Sequence, residues 1–125
     1  MIGIDIVEIA RFEKFLEKKT ALHKYLRDEE IPLVTSPSTA AGFFAAKEAI
    51  SKALGTGIGK NCGFKDIMIH KDPQGAPYFT LPKHLIETFL IHNTALSISH
   101  DGGFAIAIAH IETKKQPSHT LYHEK

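Results

Sequence analysis

With 125 residues and a formal net charge of +1, the chain is long enough for one domain with its own core, and its charge does not indicate a nucleic-acid-binding protein. Its single cysteine, Cys62, excludes an intrachain disulfide and a thiolate zinc site, and agrees with a reducing compartment. The most apolar tract, residues 104–109, is too short to span a bilayer and no signal peptide is visible, so we expect a cytoplasmic protein without a membrane partner.

The first part of the chain is predicted as one strand followed by two helices. Residues 2–9 alternate as a strand whose two faces carry Ile2, Ile4 and Ile6 on one side and Gly3, Asp5 and Val7 on the other. Residues 9–19 have the spacing of an amphipathic helix, and residues 20–29 are predicted as a second, short helix. Pro32 and Pro37 then mark a loop.

A long central helix is predicted next. It should begin near Ser38, a residue type that caps helix starts, and end at Leu54, with Gly55 as its C-cap. Residues 40–46 are apolar nearly all round, which predicts burial in the core or at a subunit contact.

The last part of the chain is predicted to contain two hairpins separated by a helix. The first hairpin joins strands 66–70 and 77–81 across a turn at 72–75, the helix runs over 82–92, and the second joins strands 95–100 and 103–112. The order of elements predicts an α+β fold with a mostly antiparallel sheet packed with the long central helix. Residues 1–112 are expected to form a single domain, and 113–125 a polar, mobile tail.

Three charged residues occur where the surroundings are apolar. Asp5 interrupts an apolar strand, while Glu48 and Lys52 are four residues apart on one face of the central helix. Each has an ordinary interpretation, namely an edge-strand surface carboxylate for Asp5 and an exposed ion pair for Glu48 and Lys52. The apolar neighbours favour instead a site at which a divalent metal and a phosphate satisfy all three charges.

Other candidate residues carry weaker signals. Lys47 is expected to be solvated or to contact a phosphate, and His100, at a strand end, is either a hydrogen-bonded structural residue or a substrate contact. Residues 55–60 are rich in glycine, but they match neither a P-loop nor a dinucleotide-binding fingerprint. Gly55 is best interpreted as a helix cap, although backbone amides in this loop are also candidates for a phosphate contact.

Two segments together resemble the signature of the 4′-phosphopantetheinyl transferases. Residues 3–6, Gly-Ile-Asp-Ile, and residues 44–52, Phe-Ala-Ala-Lys-Glu-Ala-Ile-Ser-Lys, fit it at every fixed position. The glycine loop at 54–59, the turn at 72–78 and the segment 97–100, Ser-Ile-Ser-His, resemble the branch that modifies acyl carrier protein. The resemblance covers residues 2 to about 112.

This resemblance implies transfer of 4′-phosphopantetheine from coenzyme A to a serine of apo-acyl carrier protein, a step that serves fatty acid biosynthesis. It implies that Asp5 and Glu48 ligate Mg²⁺, and that Lys52 assists the departing phosphate. The serine proton would pass to Glu48 or to a metal-bound water. Lys47, Lys52, His100 and Gly55 would contact coenzyme A.

The resemblance further implies a homotrimer with active sites at subunit interfaces, and docking of the acidic carrier on a basic first helix through Arg11. Phe43 stands where many relatives have arginine, so either Lys47 or Lys60 would have to compensate or coenzyme A would bind more weakly. Two alternatives remain open: transfer to a peptidyl carrier, and a non-catalytic module that binds an acidic protein.

Overall fold

The computed structural model of the chain describes residues 1–114. Its strands and α-helices are, in chain order, β1 (Ile2–Glu8), α1 (Lys19–Leu22), α2 (Pro37–Leu54), β2 (Met68–Lys71), β3 (Pro77–Thr80), α3 (Lys83–Thr88), β4 (Ile91–Asp101) and β5 (Phe104–Thr113). Short 3-10 helices cover Ile9–Phe15, Ile31–Leu33 and Phe64–Asp66.

The strands form two antiparallel sheets, and α2 packs on the larger one. That sheet has the order β1-β5-β4, while β2 and β3 form a separate hairpin. Where β1 pairs with β5, Asp5 lies opposite Ala107, and where β4 pairs with β5, His100 lies opposite Ala105. The α+β class, the antiparallel sheet and the long central helix are therefore confirmed.

The ends of α2 follow from two local signals. The helix begins at Pro37, close to the predicted start near Ser38, but the N-cap is Ser36, whose side chain accepts a hydrogen bond from the Thr39 amide at 3.2 Å. Pro37 occupies the first helical position because its missing N–H costs nothing there. Gly55 ends the helix with φ of 84°, a left-handed conformation that glycine tolerates, so its prediction as C-cap is confirmed.

The apolar first turns of α2 are buried within the chain itself. Ala40, Ala41 and Ala45 are fully buried, which decides between the two interpretations of this segment in favour of the core. Five of the exposed apolar side chains lie on β1 and β5 of the larger sheet, namely Ile2, Ile4, Ile6, Phe104 and Ile108. We refer to these five side chains as the outer sheet face.

Three predicted helices are shorter than expected. The segment 9–29 contains only the 3-10 helix Ile9–Phe15 and the four-residue helix α1. The helix predicted over 82–92 is α3, and it ends at Thr88. It cannot continue to residue 92 because Leu90 has a positive φ of 55° and Ile91 already pairs with Thr113. In each case tertiary packing overrides the helical periodicity of the sequence.

Within residues 1–114, no helix is both long and apolar enough to cross a membrane. The first residue of the predicted tail, Thr113, is the last residue of β5 and so belongs to the sheet. From residue 115 onwards it lies outside the described residues.

Candidate active site

Asp5 comes close to α2 because Gly3 allows β1 to lie directly on the helix. A Cβ atom at Gly3 would overlap the carbonyl oxygen of Ala49 and would lie 2.6 Å from the amide nitrogen of Ala53. Only glycine permits this approach, since any side chain would push the strand away from the helix backbone. Gly3 and Asp5 share one face of β1, so the carboxylate is directed toward α2 as well.

Lys52 makes an ion pair across two elements. Its Nζ lies 2.9 Å from Oδ1 of Asp5 and 3.1 Å from the carbonyl oxygen of Ile4. The ordinary interpretation, an ion pair confined to the helix between Glu48 and Lys52, does not describe this contact. Half of the Lys52 side chain remains exposed, so its ammonium group can still meet a charged ligand.

Glu48 lies in the electrostatic field of the same two residues. Burial and the nearby Asp5 carboxylate raise the pKa of Glu48 above its ordinary value, while Lys52 acts in the opposite direction. The two carboxylates therefore repel each other, and Lys52 only partly relieves that repulsion. The predicted meeting of Asp5, Glu48 and Lys52 is found in the structure.

The second oxygen of Asp5 indicates what is needed to complete the site. Oδ2 is buried and has no hydrogen-bond partner among the described residues. A buried, unpaired carboxylate oxygen is costly unless a cation or a donor meets it. Because no cluster of three His, Cys, Asp or Glu within residues 1–114 is arranged to hold a metal, an ion here would rely on Asp5, Glu48 and non-protein ligands. Mg²⁺ has this preference, since it keeps waters and takes substrate phosphates.

Lys47 is placed very differently from its prediction. Its side chain is fully buried, and Nζ donates to the carbonyl oxygens of Tyr25 at 2.8 Å and Phe64 at 2.9 Å and to Glu30 Oε1 at 2.7 Å. The prediction that Lys47 is solvated is wrong. The expected contact with coenzyme A is also unsupported, because all three ammonium protons are used inside the protein.

His100 lines a cleft at the opposite end of α2 from Lys52. The cleft encloses about 130 Å³, and its walls are Ser38, Thr39, Gly42, Phe43, Lys71, Gly75, Pro77, Ile98 and His100. The Nζ of Lys71 lies 6.0 Å from the centre of the Phe43 ring, so a cation stands beside the position at which an arginine was expected. Hydroxyl groups, a lysine and a histidine make this cleft suitable for an anion.

The glycine loop and Arg11 complete the list of predicted residues. The amide of Gly55 donates to the Lys52 carbonyl, and that of Gly57 donates to the Ser51 carbonyl. The amides are thus engaged in ending the helix, and a phosphate contact from Gly55 gains no support. Arg11 is exposed, with its guanidinium 5.6 Å from the ring centre of Phe12 and 5.8 Å from that of Phe44.

Two residues of interest were missed from the sequence. Lys71 is the last residue of β2 and belongs to no motif, and Glu30 lies in a charged run that is typical of a solvated loop. Their positions depend on which distant segments pack together, and the local pattern contains no signal for that.

The chain thus presents an antiparallel α+β fold with a carboxylate pair and a lysine suited to a divalent cation and a phosphate. The sequence profile of the 4′-phosphopantetheinyl transferase superfamily matches residues 1–109. The chain therefore belongs to this superfamily, and the resemblance noted in the sequence is confirmed.

Similar proteins cover almost the whole chain. The holo-[acyl-carrier-protein] synthase of Sulfurovum sp. is 51% identical over 113 residues, or 89% of this chain and 95% of that protein. The holo-[acyl-carrier-protein] synthase of Nautilia profundicola is 55% identical over 109 residues, which cover 86% of this chain and 95% of that protein. The crystal structure of the Helicobacter pylori holo-[acyl-carrier-protein] synthase in complex with coenzyme A superposes with a TM-score of 0.83 at 50% identity, covering 90% of this chain and all of that one.

Proposed function

We propose that the chain transfers 4′-phosphopantetheine from coenzyme A to a serine of apo-acyl carrier protein. The observation that carries the proposal is the meeting of Asp5, Glu48 and Lys52, with one buried carboxylate oxygen left unpaired, in a member of this superfamily. The serine oxygen forms a bond to the β-phosphorus of coenzyme A, and the bond to the α-phosphate oxygen breaks. The products are holo-acyl carrier protein and adenosine 3′,5′-bisphosphate.

Asp5 and Glu48 are proposed to hold Mg²⁺. The bound ion would neutralise negative charge on the pyrophosphate and favour loss of the serine proton. The raised pKa of Glu48 agrees with this arrangement, since the two carboxylates are most stable when a cation lies between them. Glu48 remains one candidate to accept the serine proton, and a water at the metal is the other.

Lys52 is proposed to stabilise the leaving group. Negative charge grows on the 5′-phosphate of the nucleotide as the bond breaks, and an ammonium group that is half exposed beside Asp5 can meet it. Neither Lys47 nor Gly55 is proposed to contact coenzyme A, because the structure engages both elsewhere.

The cleft at His100 is proposed to bind a phosphate of coenzyme A. Lys71 and His100 supply donors there, and Ser38 and Thr39 lie in the first turn of α2, where backbone amides favour anions. Lys71, rather than Lys47 or Lys60, would then compensate for Phe43.

Two assembly contacts are proposed as well. The outer sheet face would join three copies into a homotrimer, with each active site at a subunit interface. Arg11, exposed beside the basic segment that contains Lys14, Lys18 and Lys19, would dock the acidic carrier. We place the reaction in the cytoplasm, in keeping with the single cysteine of the chain.

A mass assay tests the function directly. Incubation with apo-acyl carrier protein, coenzyme A and Mg²⁺ should add one phosphopantetheine to the carrier. Asp5→Ala and Glu48→Ala should each lower turnover by about a hundredfold or more, because each removes charge from the reacting centre. Glu87→Ala, at an exposed carboxylate on α3, is the matched control and should retain wild-type turnover.

The outcomes separate the alternatives. No mass gain at any Mg²⁺ concentration, with folded protein, would contradict the proposal. A higher rate on a peptidyl carrier than on acyl carrier protein would change the assigned substrate. Binding of an acidic protein that is indifferent to Mg²⁺ and coenzyme A would favour a non-catalytic module.

A further inference from the structure

One stripe of α2 stays accessible along the central part of the helix. Between residues 40 and 52 only Phe44, Glu48 and Lys52 are not buried, and they are spaced four residues apart, which places them on one face. Glu48 and Lys52 have roles in the proposed reaction, whereas Phe44 has none. A phenylalanine in line with two charged residues therefore needs an explanation.

The guanidinium group of Arg11 lies against this phenylalanine. Its central carbon is 5.8 Å from the centre of the Phe44 ring and 5.6 Å from that of the Phe12 ring. At such distances a cation is attracted to the face of an aromatic ring. Phe12 is buried, and its ring centre lies 5.4 Å from that of Phe44, so the two rings form one packed surface that Arg11 contacts.

These ring contacts leave the hydrogen-bond donors of Arg11 unused. Among residues 1–114 its side chain has no ion pair and no hydrogen bond. Arg27, the other arginine of the chain, donates instead to Glu29 at 3.3 Å and to the Lys65 carbonyl at 3.0 Å. A guanidinium that is oriented by ring faces alone can present its N–H groups to a carboxylate of another molecule.

The same stripe relates Arg11 to the reacting centre. Phe44 precedes Glu48 by about one helical turn on the same face of α2, so a group held against Phe44 lies next to the proposed metal site. A carrier carboxylate bound by Arg11 is then held close to that site. This relation lies within one chain and does not depend on which residues a neighbouring copy adds.

We propose that Phe44 and Phe12 are positioning residues for the carrier, because their ring faces hold the Arg11 guanidinium in the orientation that meets a carrier carboxylate. The inference rests on the proposed function and extends it to two residues that carry no charge. The rings act through Arg11 and need no contact of their own with the carrier. Loss of the Phe44 ring should therefore weaken carrier binding and leave coenzyme A binding unchanged.

Phe44→Leu removes the ring and keeps an apolar side chain. Titration calorimetry of the full chain with apo-acyl carrier protein and Mg²⁺ should show a dissociation constant raised about threefold, as expected for loss of a cation–π contact at an exposed site. The KM for the carrier should rise by the same factor, while kcat and the KM for coenzyme A stay unchanged. Phe44→Tyr retains an aromatic face and should bind the carrier like the wild type.

A double-mutant cycle separates action through Arg11 from a direct contact of Phe44 with the carrier. Arg11→Ala alone should raise the dissociation constant about tenfold, because a charged donor is lost. Phe44→Leu added to Arg11→Ala should have no further effect, since no guanidinium is left to orient. The effect of Phe44→Leu should also shrink at high salt, which screens the charge through which it acts.

Phe64→Leu is the matched control. The Phe64 ring is partly buried and packs on Phe44 with ring centres 5.5 Å apart, but it is not one of the rings that Arg11 contacts. Both leucine variants should melt at lower temperature than the wild type, and only Phe44→Leu should weaken carrier binding. Should Phe44→Leu not fold, Phe44→Met removes the ring with a more adaptable side chain and is titrated in the same way.

The outcomes are distinguishable from failure of the proposed function. If the wild type neither binds nor modifies the carrier, the proposed function fails and this inference fails with it. If the wild type does both, three results overturn the positioning role alone. These are unchanged carrier binding in Phe44→Leu, an equal loss with and without Arg11, and an equal loss in Phe64→Leu.

Discussion

At the scale of single residues, the lysines of α2 show how strongly position decides chemistry. Lys47 and Lys52 are five residues apart, which turns their side chains about 140° away from each other around the helix. One is enclosed by acceptors in the core, and the other reaches the surface beside Asp5. Lys47 therefore belongs to the core, whereas Lys52 pairs with Asp5 and keeps half of its side chain exposed.

Lys71 is the cation we expect to matter for coenzyme A binding. Lys71→Met should raise the KM for coenzyme A about tenfold, because a charged donor to a phosphate is lost, and should leave kcat nearly unchanged. Steady-state kinetics with varied coenzyme A would measure this. The effect should shrink at high salt, which screens exposed charges.

Lys60→Met is the matched control, because Lys60 is also exposed but is absent from the residues lining the cleft. It should leave the KM for coenzyme A unchanged. Equal effects of the two substitutions would show that the chain uses general positive charge and not a defined subsite.

The sequence predicted the meeting of Asp5, Glu48 and Lys52 better than it predicted the residues around them. Asp5, Glu48 and Lys52 were found because charge in apolar surroundings is visible in a local pattern. Glu30 was missed and Lys47 was given the wrong role, because the contact between them spans 17 positions and that between Glu30 and the Ile69 amide spans 39, and local periodicity carries no such information. The role of Lys71 was missed because its neighbour Phe43 belongs to another element of the fold.

At the scale of elements, the contact between β1 and α2 determines the geometry of the site. The strand brings Asp5 and the helix brings Glu48 and Lys52, and Gly3 sets how closely the two approach. The carbonyl oxygen of Ala49 and the amide of Ala53 belong to the helix backbone, which cannot move aside for an added methyl group.

Gly3→Ala should therefore act on activity through distance alone. We expect a loss of about 1–3 kcal/mol in unfolding free energy from the overlap. Turnover should fall at least about tenfold as Asp5 moves away from Glu48. Chemical denaturation and the carrier mass assay would measure the two effects.

Gly59→Ala provides the control for this substitution, because nothing lies within 4 Å of a Cβ atom at that position. It should change neither stability nor turnover appreciably. Wild-type turnover in Gly3→Ala, with intact folding, would mean that the site does not depend on the close approach of the strand.

The elements themselves were predicted in type more reliably than in extent. Strands and the central helix were found because their periodicities extend over whole segments. The region 9–29 was predicted as two helices, yet it contains a 3-10 helix and a four-residue helix. Its apolar residues Phe12, Leu22 and Leu26 are nevertheless buried, although the backbone does not follow one regular helix.

At the scale of the whole molecule, the outer sheet face is the feature that a single chain leaves unexplained. Ile2, Ile4 and Ile6 are 71%, 55% and 57% exposed, and Ile108 lies opposite Ile4 on β5. Contiguous apolar side chains of this kind on a sheet mark an interaction surface rather than a solvated one. The helical side of the same sheet is already covered by α2, so only the outer side is available to another copy.

Ile4→Glu tests whether this face joins copies of the chain. A carboxylate at the centre of an apolar contact is costly to bury, so the variant should dissociate while each chain stays folded, because the position is exposed in the single chain. Sedimentation velocity should give the mass of three chains for the wild type and of one for the variant. Turnover should fall with the loss of the trimer if each active site draws on two chains.

Leu90→Asn is the control, because Leu90 is 48% exposed but lies off the sheet, and this variant should keep both the trimer and the activity. A wild type that sediments as a single chain, or an Ile4→Glu variant that remains trimeric, would rule out the outer sheet face as the interface.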